Sequence, residues 1–369
     1  MKRTFFTLLK FGVSAGLIAW LVVQAQRDKA FADLASQPKD WLLLAAAAAC
    51  CFAAITLTFV RWYVLVRALD LPFSLKDSFR LGFLGYLLNF VSLGAVGGDL
   101  FKAVFVAREQ PGRRAEAVAT VVLDRLVGLY MLFVLGTIAI LATDQLSSSS
   151  REVQIVSRGT LICTGLGAAG IAVLLIPGLT QGRFSAFLQH LPRVGPLFGK
   201  LLGAIRIYRQ RPGMLLLSAA MSLVVHSLSA TGIWFVSRGL PGQSPSLADH
   251  LVIVPLAMVT GVLPLPVNGL GAFETAVVFL YESVPTGLAV SEGRGLVVAL
   301  GYRAITILIA LVGVCYYLAS RREVAQVMHE AEVELEHEQA ADSSAAEPEL
   351  GESAAVAQLP PGADWAAGG

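Results

Sequence analysis

Pro264-Leu265-Pro266-Val267-Asn268-Gly269-Leu270-Gly271 interrupts an apolar run that otherwise extends from Leu247 to Leu280. A continuous helix does not tolerate this phrase, because each proline removes a backbone donor and each glycine weakens the helix. A second apolar run, Phe79 to Val106, is broken in the same way by Gly94-Ala95-Val96-Gly97-Gly98. Backbone freed by such breaks survives at membrane depth only where protein or a water-filled cavity surrounds it. Whether the broken runs cross a membrane or turn back therefore decides the fold.

The chain around them has the composition of a polytopic membrane protein. Of its 369 residues 56% are apolar and 15% charged, and the mean hydropathy is +0.68. Collagen, coiled-coil and nucleic-acid-binding classes are excluded on that basis. A bilayer span takes about 20 apolar residues. Six windows meet that length without interruption: 5–24, 41–60, 115–142, 159–176, 213–236 and 294–318.

The positive-inside rule separates the two topologies. With eight straight spans and the N-terminus inside, 11 Lys/Arg fall on the cytoplasmic side and 14 outside, which is the wrong way round. With both broken runs as re-entrant hairpins, 17 lie inside, 7 outside, and Lys10, Lys102, Arg125 and Arg303 in the membrane. The expected fold is therefore an all-α membrane protein with about six transmembrane helices plus two broken re-entrant hairpins, eight hydrophobic segments in all. Three spans separate the hairpins, so they are expected to come from opposite faces and meet near the midplane.

The two hairpins share further detail. Ser74-Leu75-Lys76-Asp77 and Ser246-Leu247-Ala248-Asp249 precede them as matching capping boxes. Asp99 follows the first break and Glu274 the second; Arg125 comes 26 residues after Asp99 and Arg303 29 after Glu274. The only asparagines in the chain, Asn89 and Asn268, lie one in each hairpin. This pattern predicts an inverted repeat, with halves at about 1–143 and 155–320, like those whose substrate sites form at broken helices.

Ionisable groups in a bilayer cost about 2.5–3.5 kcal/mol each on insertion scales, so they pair or line a functional cavity. Asp99, Lys102, Asp124, Arg125, Glu274 and Arg303 supply three of each sign, and a structural ion-pair network is one reading of them. In the other, the helix returning from each break points its N-terminus, with free N–H groups and partial positive charge, into the interior. With Arg125 and Arg303 beside them, two such ends suit an anion such as phosphate. Asp99 and Glu274 then cap these ends at rest, or bind a proton or a cationic headgroup. His226 reads as a packing histidine, and the cysteines and histidines show no metal-ligand spacing. Neither a metal nor another cofactor is expected.

All 28 Lys and Arg lie at or before Arg322, whereas 11 of the 26 Asp and Glu follow it. The membrane domain is accordingly expected at 1–322. Residues 323–369 form an acidic tail, with a short helix at Glu323 to Glu338 and disorder beyond. The stretch Arg183 to Arg211 reads as a basic amphipathic helix on the cytoplasmic leaflet.

Taken in order, Asn89 through Gly97-Gly98-Asp99 to Lys102, Asp124-Arg125, Pro264 to Gly269-Leu270-Gly271 with Glu274, and Tyr302-Arg303 resemble the lysylphosphatidylglycerol synthase transmembrane family of flippase-like proteins. The resemblance covers roughly residues 5–320. It implies a multi-pass protein of the cell (inner) membrane that moves an anionic phospholipid or polyprenyl-phosphate-linked lipid between leaflets; the charge count places both termini on the cytoplasmic side. It also implies substrate contacts from Asn89, Gly97, Gly98, Asp99, Lys102, Asp124, Arg125, Asn268, Gly269, Gly271, Glu274 and Arg303. A partner synthase or transferase would supply the lipid. After Arg322 only 47 residues remain, so the soluble synthase domain and its aminoacyl transfer are not expected. No HExxH, GxSG-type nucleophile or P-loop is present, and the chain is expected not to be an enzyme. Transport of a water-soluble anion, a scaffold and an intramembrane lipid-modifying enzyme are the alternatives.

Overall fold

The computed structural model describes residues 34, 36–91, 97–148, 150–175, 208–262, 271–284 and 293–356. Among these there is no strand. The α-helices are α1 (Trp41–Ala68), α2 (Leu75–Val91), α3 (Gly98–Glu109), α4 (Arg114–Ala142), α5 (Arg151–Leu175), α6 (Pro212–Gly239), α7 (Leu247–Met258), α8 (Ala272–Ser283) and α9 (Arg294–Val356). Single 3-10 turns occur at Gln145–Ser147 and Val259–Val262. In α9 the backbone leaves helical geometry at Ser320 (φ −127°, ψ 21°).

Helices α1, α4, α5, α6 and the Arg294–Arg322 part of α9 are long and apolar enough to cross a bilayer. They match five of the six uninterrupted windows. The window 5–24 and Lys10 lie outside the described residues, as does Arg183 to Arg211 apart from its last four residues. The bundle is apolar on its outside: Leu126, Ile138, Ile162, Leu166, Leu308 and Leu311 are exposed, whereas Arg61, Asp124, Glu274 and Arg303 are buried. Such an arrangement suits lipid, which solvates apolar side chains and excludes charged ones.

One expectation is corrected at α1. The window read as ending at residue 60 is a helix that continues to Ala68, with Arg61 buried inside the bundle. An ion pair to Asp124 makes that burial tolerable. Beyond the Ser320 bend, Val324 and Val327 pack into the core, and the helix runs on past Glu338 to Val356.

Hydrogen bonds between helix ends fix the direction of each element. The Asp40 N–H donates to the Gly239 carbonyl (2.9 Å), so α1 starts where α6 finishes. There too the Arg294 guanidinium donates to the carbonyls of Ser237, Leu240, Pro241 and Gln243. His250 in the first turn of α7 meets the Tyr281 hydroxyl near the end of α8 (2.6 Å). This is termed the upper end. At the lower end Arg113 donates to the Leu69 carbonyl (2.8 Å), the Gln110 amide to the Pro72 carbonyl (2.9 Å), and the Tyr208 hydroxyl to the Leu65 carbonyl (2.8 Å). The α2–α3 pair thus leaves and returns at the lower end, and α7–α8 at the upper end. Each pair reaches into the bundle from its own side.

Both pairs begin with the capping residues read from the sequence. The Asp77 N–H donates to Ser74 Oγ (3.1 Å), and the Ser74 hydroxyl donates to the Asp77 carboxylate. Asp249 and Ser246 form a full capping box, with bonds of 3.1 and 2.8 Å. A cap of this kind contributes about 1 kcal/mol. Each pair also has its own core: Leu71, Phe73, Phe101 and Phe105 around the first, Ile253, Phe273, Val277 and Tyr281 around the second. Between them α1 and α6 lie antiparallel in close contact, with Gly232 against Cys51 and Ala47. Small residues of this sort let membrane helices approach.

Candidate functional site

The first site forms where α3 begins. A side-chain carbon on Gly98 would stand 1.8 Å from the Gly85 carbonyl oxygen, so only glycine lets α3 start against α2. The Gly98 N–H is capped by Asn89 Oδ1 on α2 (2.8 Å). With that cap supplied by its neighbour helix, Asp99 is free to turn outward. Its Oδ1 accepts from Arg125 on α4 (2.5 Å) and from Lys102 one turn along α3 (3.3 Å). The Lys102 ammonium also lies over the Trp62 ring, 5.6 Å from its centre.

The second site forms where α8 begins. Gly271 adopts φ 94°, a left-handed conformation suited to glycine. Glu274 caps this helix itself: one oxygen accepts from the Gly271 N–H (2.7 Å) and the other from Arg303 Nε on α9 (2.7 Å). Arg303 lies over the Phe273 ring at 5.9 Å. Asn268 and Gly269 lie outside the described residues.

These acid–arginine pairs differ sharply in accessibility. Glu274 and Arg303 keep 2% and 9% of their side-chain surface, Asp99 and Arg125 keep 37% and 56%. The first pair is therefore partly accessible at the surface of the bundle, whereas the second is sealed.

Of the anticipated site residues, the structure brings Asn89, Gly97, Gly98, Asp99, Lys102 and Arg125 together at the first site, and Gly271, Glu274 and Arg303 at the second. Asp124 faces the other way. Its carboxylate accepts from Arg61 Nε (2.8 Å) and a terminal nitrogen (3.0 Å), and Arg61 also donates to Ser222 Oγ on α6 (2.7 Å). Sequence reading missed Arg61. The signal was there in Trp62-Tyr63-Val64-Leu65-Val66, an apolar continuation that keeps the helix going beyond the arginine. His226 is a packing residue with Nε2 2.9 Å from the Gly128 carbonyl. No cluster of His, Cys, Asp or Glu that could hold a metal occurs among the described residues.

Residues 7–313 match the lysylphosphatidylglycerol synthase TM region family. The chain belongs to that family. The match includes both helix pairs and both arginine-bearing spans, and it stops before the Ser320 bend. No curated protein matches the chain. In this family member, then, a multi-pass membrane bundle places two helix N-termini, each with an acid and an arginine, at the inner ends of two oppositely directed helix pairs. Such a terminus carries about half a positive charge, and an adjacent guanidinium can grip a phosphate through two parallel hydrogen bonds.

Proposed function

We propose that this family member moves a lipid with an anionic headgroup, a phospholipid or a polyprenyl-phosphate-linked lipid, between the leaflets of the cell membrane. The observation that carries the reading is the opposed pair of sites, one open and one sealed, reached from opposite ends of the bundle. In this reading α2–α3 and α7–α8 are re-entrant hairpins of an inverted repeat. The headgroup phosphate binds Arg125 and Lys102 at the first site and exchanges to Arg303 at the second, while the acyl tails stay in the bilayer. Rocking of one half against the other alternates access. Translocation makes and breaks no covalent bond, so the reading assigns no enzymatic step and no cofactor.

Charge supports an orientation. Arg67, Lys76, Arg108, Arg114, Arg211, Arg321 and Arg322 belong to helix ends at the lower end, against Lys39, Arg151, Arg238 and Arg294 at the upper. The positive-inside rule then favours the lower end as the cytoplasmic one, and with the window 5–24 read as a span the reading assigns both termini to that side. A cytoplasmic synthase or transferase that makes the lipid is the partner implied.

The test is leaflet exchange of headgroup-labelled phosphatidylglycerol in phosphatidylcholine vesicles containing the full chain. Wild type is expected to expose the inner-leaflet probe, and Arg125→Ala to slow this by about tenfold or more, the order of a lost charge-assisted bidentate contact. Equal rates from a well-folded variant would overturn the assignment. Inhibition by water-soluble glycerophosphate, with no lipid exchange, would turn the reading toward a soluble anion.

A further inference from the structure

The first site belongs to a longer alternation of charge. From α1 outward it runs Arg61, Asp124, Lys102, Asp99, Arg125: Arg61 on Asp124, Lys102 and Arg125 on Asp99, with Asp124 in electrostatic reach of both Lys102 and Arg125. Lys102 reaches toward α1 as well, over the ring of Trp62, the residue next to Arg61. Three cations and two anions leave a surplus of one positive charge. Arg61 is the most buried member, with 6% of its side chain accessible.

We infer that Arg61 is a positioning residue that fixes the charge of the open site: by occupying Asp124 it leaves Lys102 and Arg125 only Asp99 to share, and so keeps one unit of positive charge for an incoming anion. The inference rests on the translocator reading. Without Arg61, the charge of the Asp124 carboxylate is uncompensated and its field reaches Lys102 and Arg125. The cluster becomes neutral overall and loses its attraction for phosphate, although no group that would touch the ligand has changed. Ser222 and the Gly128 backbone hold the guanidinium from its other sides, with Gly128 leaving 3.1 Å between a would-be Cβ and an Arg61 nitrogen. Arg61 is thereby fixed on the scaffold formed by α1, α4 and α6.

The charge account gives the two members of one ion pair opposite effects, which a structural bridge does not. The experiment is retention of phosphatidylglycerol by the purified full chain in phosphatidylcholine nanodiscs doped with that lipid, read by native mass spectrometry, with thermal unfolding alongside. Arg61→Gln is expected to weaken retention by about tenfold, the order for a unit charge acting over roughly 10 Å at an effective dielectric constant of about 20. Asp124→Asn raises the surplus to two and should hold the lipid at least as tightly as wild type. Arg61→Lys keeps the charge and should retain it within about threefold, because a lysine loses the bidentate geometry but not the field. The Arg61→Gln/Asp124→Asn double variant returns the surplus to one and should recover wild-type retention.

Parallel losses in Arg61→Gln and Asp124→Asn that track their melting temperatures would overturn the inference in favour of a purely structural pair. So would an Arg61→Lys protein that folds normally yet binds as poorly as Arg61→Gln. If wild type itself retains no phosphatidylglycerol above phosphatidylcholine, the translocator reading fails first, and Arg61 loses the site it was inferred to tune.

Discussion

Asp99–Arg125 and Glu274–Arg303 are assembled from the same parts: an acid in the first turn of a short helix and an arginine on the next span. They differ in who caps the helix. In the first pair the cap comes from Asn89 on the neighbouring helix, so Asp99 is released to bridge two cations where the side chains stay partly accessible. In the second, Glu274 both caps its own helix and holds Arg303, with almost no surface left over. One amide side chain thus separates a site able to exchange partners from a joint that is closed on itself. Desolvation sharpens the difference, since water screens a half-open pair and leaves a sealed one dependent on its partner.

The largest expected effect follows directly. Arg303→Ala leaves Glu274 charged and unmatched in the interior and should destabilise the protein by about 3–5 kcal/mol. Arg125→Ala, at the open pair, should cost no more than about 1 kcal/mol. Thermal unfolding of the two variants in one detergent checks this ordering. Similar melting shifts would erase the distinction between open site and closed joint, whatever the transport assay shows.

Next in size is Asn89→Ala, which removes the borrowed cap at a cost of about 1 kcal/mol. The Asp99 carboxylate is then the nearest acceptor for the exposed N–H groups of α3, as Glu274 is for α8. The first site should drift toward the architecture of the second, with slower leaflet exchange of phosphatidylglycerol and a small loss of melting temperature. An unchanged exchange rate in a variant that shows the stability loss would mean that the cap does not govern the site.

Much of this comparison was legible before the structure. The Gly97-Gly98 break and the break from Pro264 to Gly271 announced interrupted helices, because glycines weaken a helix and prolines remove its donors, and a phrase of the form Ser-Leu-x-Asp marked the start of each pair. The acids and arginines were visible as charges stranded in apolar runs. Their partners were not, since ion pairing depends on which helix faces lie together. Nothing local shows that Asp124 turns to Arg61, 63 residues earlier, while its neighbour Arg125 turns to Asp99. The same holds for accessibility: the two pairs look equivalent as text, and only the packing around Glu274 seals one of them.

Another acid–arginine pair extends the comparison into water and carries the smallest effect. Asp70, just past α1 at the lower end, accepts two hydrogen bonds from Arg211 at the foot of α6. Those bonds, helped by the charges of Arg211, Arg113 and Arg67, hold its carboxyl below the usual range. A depressed folded value stabilises the folded protein above the unfolded pKa of about 3.9, and that contribution disappears as pH falls through the folded value. The melting difference between wild type and Asp70→Asn should accordingly be small and constant near neutral pH, then shrink to nothing in strong acid. It should also fade with added salt, which screens exposed charges, whereas the Arg303→Ala loss should persist because its pair is shielded. A salt-insensitive Asp70→Asn difference would show that this joint is held by something other than its charges. The gradient from exposed Asp70 through half-open Asp99 to sealed Glu274 would then no longer be one of electrostatics.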